Sequence, residues 1–127
     1  MATVRGMTDL KTADNLTSLA RQLQQFADAR DWGPFHSPKN LASALIVEAG
    51  ELLEHFQWLT DAQSQALTPN KKDEVAAEAA DVFLYLLQLC DKLGIDLVAA
   101  AQAKMLVNAE KYPVAAARGT AAKYTEF

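Results

Sequence analysis

Residues 46–58 read Ile46-Val47-Glu48-Ala49-Gly50-Glu51-Leu52-Leu53-Glu54-His55-Phe56-Gln57-Trp58. Leu41, Leu45, Glu48 and Leu52 follow one another at spacings of four, three and four, so they share one face of a helix. A carboxylate in that stripe is out of place, because desolvating a charge costs several kcal/mol even after relaxation. The oddity recurs downstream. Val75, Glu78, Val82, Tyr85, Leu86 and Leu89 make a second apolar face, with Glu78 and Asp81 in or beside it. Two helices thus each present two acids three residues apart, and acids arranged in this way share a cation or a proton.

The rest of the chain can be read outward from these two helices. Ser37-Pro38 is an N-cap followed by proline at the first helical position, so the first acid helix runs from there to about Trp58. Upstream, Leu16, Leu19, Leu23 and Phe26 recur at helical spacing and predict a helix from a cap at Asp14 or Asn15 to about Arg30. Asp31-Trp32-Gly33-Pro34-Phe35-His36 then breaks the pattern. Residues 59–69 form a connection with a short helical turn around Ala62–Ala66, and Lys71 to Leu93 carries the second acid helix, ending at Gly94. Asp96 caps a last helix with Leu97, Ala100, Ala101, Met105 and Val107 as apolar positions, and Pro113 stops it. No strand-like alternation and no linker are visible. The expectation is an all-α four-helix bundle forming a single domain over residues 1–127, with 1–13 and 114–127 flexible or wrapping a neighbouring subunit. Gly50 is an exception to the boundary placement of glycine and costs roughly 1 kcal/mol relative to alanine; close packing of a neighbouring helix is one explanation.

Bulk properties narrow the function. With 127 residues the chain is about one domain, long enough for a core without staples. Sixteen acids against twelve bases give a net charge of −4, which argues against a generally basic surface for a nucleic acid polymer. The single cysteine, Cys90, lies on an apolar helix face and reads as core. No leader pattern and no apolar run near ~18 residues is found, so neither a signal peptide nor a membrane span is expected, and the cytoplasm is the expected location.

If the two acid helices pack antiparallel, Glu48, Glu51, Glu78 and Asp81 converge and would repel. A divalent cation with a preference for oxygen ligands resolves the conflict, and Mg²⁺ fits best, with Mn²⁺ as a substitute. Magnesium commonly keeps positions open for water and phosphate oxygens, so such a site suggests a phosphate substrate. The plainer alternative is that these acids face solvent or pair with Lys71 and Lys72. One pair would favour that alternative; two pairs, both on apolar stripes, favour the metal. A di-iron carboxylate bundle requires Glu-x-x-His pairs. The only histidines are His36, in a loop, and His55, four residues from Glu51.

Glu48-x-x-Glu51 followed by Glu78-x-x-Asp81 resembles the metal-binding signature of the MazG-like all-α nucleoside triphosphate pyrophosphohydrolases. The similarity is strongest to their dCTP pyrophosphatase branch and covers nearly the whole chain from about Leu23. It includes Arg30-Asp31-Trp32, Phe35-His36, Pro38-x-Asn40-Leu41, Glu48-x-Gly50-Glu51-Leu52-x-Glu54-x-Phe56-Gln57-Trp58, Ala80-Asp81-Val82-x-x-Tyr85-Leu86, Lys104-Met105-x-x-Asn108-x-x-x-Tyr112-Pro113 and Lys123-Tyr124-Thr125-Glu126. There are two departures. The wider pattern opens with two adjacent glutamates, whereas Val47 precedes Glu48 here. Animal members of the branch carry a histidine where this chain has Leu23, which leaves the base preference open.

The resemblance implies cleavage of a nucleoside triphosphate between its α and β phosphorus atoms, giving the monophosphate and pyrophosphate. Glu48, Glu51, Glu78 and Asp81 would be the catalytic acids and metal ligands, with Glu51 or Glu54 as proton acceptor. Lys104, Asn108 and Lys111 share one helical face and would hold phosphates, as an alternative to being a solvated face. Trp32, His36, Trp58 and Tyr85 would line the base pocket, while Phe26, Phe56 and Phe83 read as core and His55 as a packing or surface residue. The substrate is expected to be dCTP or a modified dCTP, the role the clearing of non-standard or surplus nucleotides, and the assembly a homo-oligomer, a dimer of dimers. The alternatives are the same fold acting on dUTP or dATP, and a non-catalytic helical interaction module.

Overall fold

The computed structural model describes residues 15–127, all of them in helices, turns and loops with no strand. The expectations for residues 1–13 and for a cap at Asp14 lie outside the described residues. Helix α1 spans Asn15–Asp28, α2 Pro38–Glu54, α3 Asp61–Ser64, α4 Pro69–Lys92, α5 Leu97–Lys111 and α6 Val114–Ala117. Single 3-10 turns occupy Gly33–Phe35 and Tyr124–Glu126. The chain divides into two compact units, one ending at Gly94 and the other covering Ile95–Phe127.

Local chemistry sets the helix boundaries. The Ser37 hydroxyl accepts from the Asn40 amide at 3.2 Å, and Asn40 Nδ2 donates to the Phe35 carbonyl at 3.0 Å, which ties the turn to the start of α2. Thr68 Oγ1 accepts from Lys71 N at 3.2 Å, so α4 begins at Pro69, two residues before the expected Lys71. Thr60 and Gln63 form a reciprocal capping box that makes α3 a true, if brief, helix. Asp96 caps α5 through Ala99 N at 3.0 Å. Gly94, at φ 67°, ends the first unit in the left-handed conformation that glycine adopts without steric cost. Helix α1 ends at Asp28, short of Arg30. Asp31 takes φ 54°, and Trp32 N turns back to the Ala27 carbonyl at 3.0 Å. Helix α2 also ends early, at Glu54. The amides of His55 and Phe56 bond three residues back, and residues 55–58 continue as turns.

Within the first unit α2 packs on α4, and α1 packs on α4. The α2–α4 pair is antiparallel: Glu48 meets Glu78 and Asp81, whereas His55, just past the end of α2, reaches the earlier Glu74 at 3.9 Å. Among the described residues the buried apolar set is small and comprises Ala27, Leu41, Leu87 and Cys90, so the single cysteine is core as expected. Gly50 has no neighbour where a Cβ would stand; no helix of this chain packs closely on it among the described residues. In the second unit, the tail is folded back on the end of α5. Tyr112 meets the rings of Tyr124 and Phe127 edge-on at 5.9 and 5.7 Å, and Lys111 Nζ sits 4.7 Å from the Tyr124 ring centre. No helix among the described residues is long and apolar enough to cross a membrane.

Candidate metal centre and adjoining cavity

Glu48 and Glu51 sit on α2, and Glu78 and Asp81 on α4. Antiparallel packing brings one carboxylate oxygen each from Glu48, Glu78 and Asp81 within 4.8 Å of one another. Glu51 stands outside that trio, three residues along α2 from Glu48. Glu48 and Glu78 are half-buried and Asp81 is exposed. One oxygen of Glu48 and one of Glu78 are enclosed without any hydrogen-bond partner. An enclosed acceptor with no donor carries a desolvation cost that a ligand, an ion or an ordered water recovers.

The electrostatics are those of crowded like charges. Hydrogen bonding with Glu51 is the largest influence on Glu48. Burial and the charges of Glu51, Asp81 and Glu78 add to it, and its carboxyl is pushed up to about 7. Burial is the main cause that raises Glu78, followed by the charge of Glu51, a hydrogen bond with it and the charge of Asp81; His55 acts in the opposite direction. The lysines that could have neutralised the cluster do not. Lys71 pairs with Glu74 at 3.4 Å, and the only ion pairs among the described residues are this one and His55–Glu74. The donor set is all oxygen, compact and short of counter-charge, which fits a hard divalent cation.

A cavity of about 530 Å³ opens beside the cluster, lined by Leu19, Leu23, Phe26, Trp32, Leu84 and Tyr85 with Gln22, His36, Gln88 and Asp81. Asp81 therefore belongs to both the acid cluster and the cavity wall. Trp32 stands edge-on to Phe26 at 5.7 Å and to His36 at 6.1 Å. Arg30 lies over the Phe26 ring at 3.5 Å and donates from Nη1 to the Phe26 carbonyl, which braces the turn carrying Trp32.

A model of the MazG-like family matches residues 44–127. Rat dCTP pyrophosphatase 1 is 42% identical over 113 residues, which cover 87% of this chain and 66% of that protein. The bovine dCTP pyrophosphatase 1 is 38% identical over 126 residues, covering 98% and 75%. The chain belongs to the MazG-like family. It spans just under two thirds of the rat relative's length. A pyrophosphatase from Archaeoglobus fulgidus, of known crystal structure, superposes on this MazG-like chain with a TM-score of 0.74 at 41% identity, covering 78% of this chain and 93% of the other.

The remaining sequence candidates fall into different places. Trp32, His36 and Tyr85 line the cavity. Trp58 does not: it lies beyond the end of α2 and is 86% exposed, because the helix stops four residues before it. Lys104 and Asn108 are exposed on α5, and Lys111 is half-buried with its ammonium against Tyr124. Glu54 is exposed at the end of α2. Phe26, expected in the core, is 48% exposed and forms part of the cavity wall, and Phe83, also expected in the core, is exposed. The sequence reading missed Gln22, Leu84 and Gln88. Gln88 was within reach of it, because Asp81, Tyr85 and Gln88 stand at i, i+4 and i+7 on one helix face.

Proposed function

We propose that this protein is a Mg²⁺-dependent nucleoside triphosphate pyrophosphohydrolase that cleaves dCTP, or a modified dCTP, to the monophosphate and pyrophosphate. The observation that carries this reading is the double membership of Asp81, which joins an acidic cation site to a ring-lined cavity in one short stretch of α4. A triphosphate brings about four negative charges, and an acid cluster accepts it only through a cation. The relatives named dCTP pyrophosphatase support the choice of substrate.

Glu48, Glu51, Glu78 and Asp81 would hold the metal. Bound Mg²⁺ supplies neutralisation of the phosphates and a lower pKa for a coordinated water. Glu51 takes the proton of the attacking water in this reading, supported by its place outside the converging trio. Trp32, Phe26 and Tyr85 offer the base rings and edges to stack on, and Leu19, Leu23 and Leu84 exclude water. Lys104, Asn108, Lys111 and Trp58 serve the phosphates or base in a site completed by another copy of the chain.

That second copy is part of the proposal. Ile46, Val47, Leu53, Met105 and Leu106 are more than half exposed, an apolar inventory that a single chain leaves bare. A homo-oligomer, built as a dimer of dimers, covers it, and a cytoplasmic location suits a nucleotide substrate. The test is product analysis by ion-exchange chromatography with dCTP, 5-methyl-dCTP, dUTP, dATP, dGTP, dTTP and CTP, each with Mg²⁺ and with EDTA. dCMP plus pyrophosphate, abolished by EDTA, is the expected result, and absence of turnover on every nucleotide overturns the reading.

A further inference from the structure

Three side-chain oxygens among the described residues are enclosed and lack a hydrogen-bond partner. Two belong to Glu48 and Glu78 in the acid cluster, and the third is Oε1 of Gln88. Gln88 lies seven residues after Asp81 on α4, on the same face, roughly 10 Å along the axis at 1.5 Å per residue. Both residues line the same cavity, so its wall carries the acid at one point and a carboxamide two turns further along. Between them stand Leu84 and Tyr85, with Leu19, Leu23 and Phe26 contributed by α1. Gln88 lines the cavity, so a donor bound there satisfies the orphaned oxygen once the side chain turns it toward the opening.

We infer that Gln88 reads the base: its Oε1 accepts from the exocyclic amino group of the bound nucleotide, and its Nε2 donates to the adjacent ring nitrogen. This rests on the reading of the cavity as the nucleotide pocket. A carboxamide offers one acceptor and a donor group side by side, the complement of the amino and ring-nitrogen pair on cytosine. Uracil presents a carbonyl where cytosine has the amine, which sets oxygen against Oε1. Turning the amide over does not rescue uracil at equal cost. It would put an NH₂ with two hydrogens into the enclosed place, and the uracil carbonyl accepts only one of them. The selection made at Gln88 is therefore for an amino-bearing pyrimidine over its carbonyl counterpart. Deoxycytidine and deoxyuridine differ at this edge alone.

The experiment compares kcat/KM for dCTP and dUTP in wild type, in Gln88→Leu and in the near-isosteric Gln88→Met, with circular dichroism to confirm the helical fold of each. The expected loss falls on dCTP, by about 10- to 100-fold and mainly in KM, and the dCTP-to-dUTP ratio approaches one. A merely structural role would lower both substrates together and leave the ratio where it was, and that outcome overturns the inference while dCTP hydrolysis by the wild type stands. A second arm needs neither metal nor phosphate: titration of Trp fluorescence with deoxycytidine and with deoxyuridine in EDTA, Trp32 being in the cavity wall. Tighter quenching by deoxycytidine in wild type, lost in both variants, supports the role of Gln88 even in a protein that hydrolyses no triphosphate. Equal quenching by the two nucleosides in wild type overturns it.

Discussion

Helix α2 has two faces, and each breaks the ordinary rule of inside and outside. The face turned to α4 holds Leu41, almost completely enclosed, but also Glu48, with a carboxylate oxygen shut away from water and unpaired. The opposite face carries Ile46, Gly50 and Leu53 at spacings of four and three, with Ile46 70% and Leu53 59% exposed. Charge lies where apolar side chains belong, and apolar side chains lie where charge belongs. Both inversions cost free energy in the isolated chain. In the proposed function a bound cation would relieve the first and a second copy the second, so the two faces of one helix would serve two different partners.

The largest expected effect comes from the inner face. Glu48→Gln and Glu78→Gln keep side-chain size and remove charge, so each is expected to lower the Mg²⁺-dependent rate by more than about 100-fold, beyond the roughly 10- to 100-fold typical of residues that only orient the ligands of a metal. The metal-free fold is expected to hold or gain stability, since crowded like charges are reduced. A thermal melt in EDTA beside the rate assay separates the two effects. An unchanged rate would return these acids to the status of solvated helix residues.

The outer face gives the next effect. Leu53→Glu adds a charge to the exposed stripe and touches none of the acids or the cavity. Light scattering after size exclusion is expected to show the wild type as an oligomer and this variant at a lower mass. A wild type that runs as a 13.8 kDa monomer would break the comparison at its second half, because the stripe would then be exposed in solution as well.

Proton linkage sharpens the first half again, more gently. The folded state holds Glu48 protonated up to about 7 and raises Glu78, both above the ordinary carboxylate value of 4.5. Across that window the folded chain binds more protons than the unfolded one, so in EDTA its melting temperature is expected to fall as pH rises from about 4.5 to about 7. Saturating Mg²⁺ should flatten or reverse the slope, because protons and metal compete for the same oxygens. A melting temperature that rises with pH in EDTA would mean that the carboxylates find compensating charge in the metal-free chain.

Much of this was legible from the amino acids, for physical reasons that can be named. Ser37, Thr68 and Asp96 announce helix starts because a short side-chain oxygen can take a backbone amide with no tertiary help. The acid pairs stand out because their spacing shares the period of the apolar stripe. What was not legible depends on how far packing extends. The sequence pattern places Trp58 at the end of α2, yet the helix unwinds after Glu54, a boundary decided by three-residue hydrogen bonds and not by composition. Helical period puts Phe26 in a core, but period does not say whether a facing element exists, and here the facing space is a cavity. Gln88 carries no signal of its own, since glutamine on a helix is ordinarily solvated; its enclosed oxygen is visible only once α1 lies across α4.

Gly50 gives the smallest effect and the finest discrimination, because the sign of one substitution depends on what covers the outer face. In the single chain nothing lies within 4 Å of an added Cβ, and the residue is mid-helix with no special backbone angle. Alanine there removes the conformational cost of glycine, so in an otherwise monomeric Leu53→Glu background Gly50→Ala is expected to stabilise by about 0.5–1 kcal/mol, a few degrees in melting temperature. In the proposed assembly a helix from a second copy would approach the groove that glycine leaves, and the same methyl group is expected to weaken association, seen as dissociation at higher protein concentration. Stabilisation in both backgrounds would show that the partner covers Ile46 and Leu53 without closing over Gly50, and the glycine would then need an explanation other than close packing.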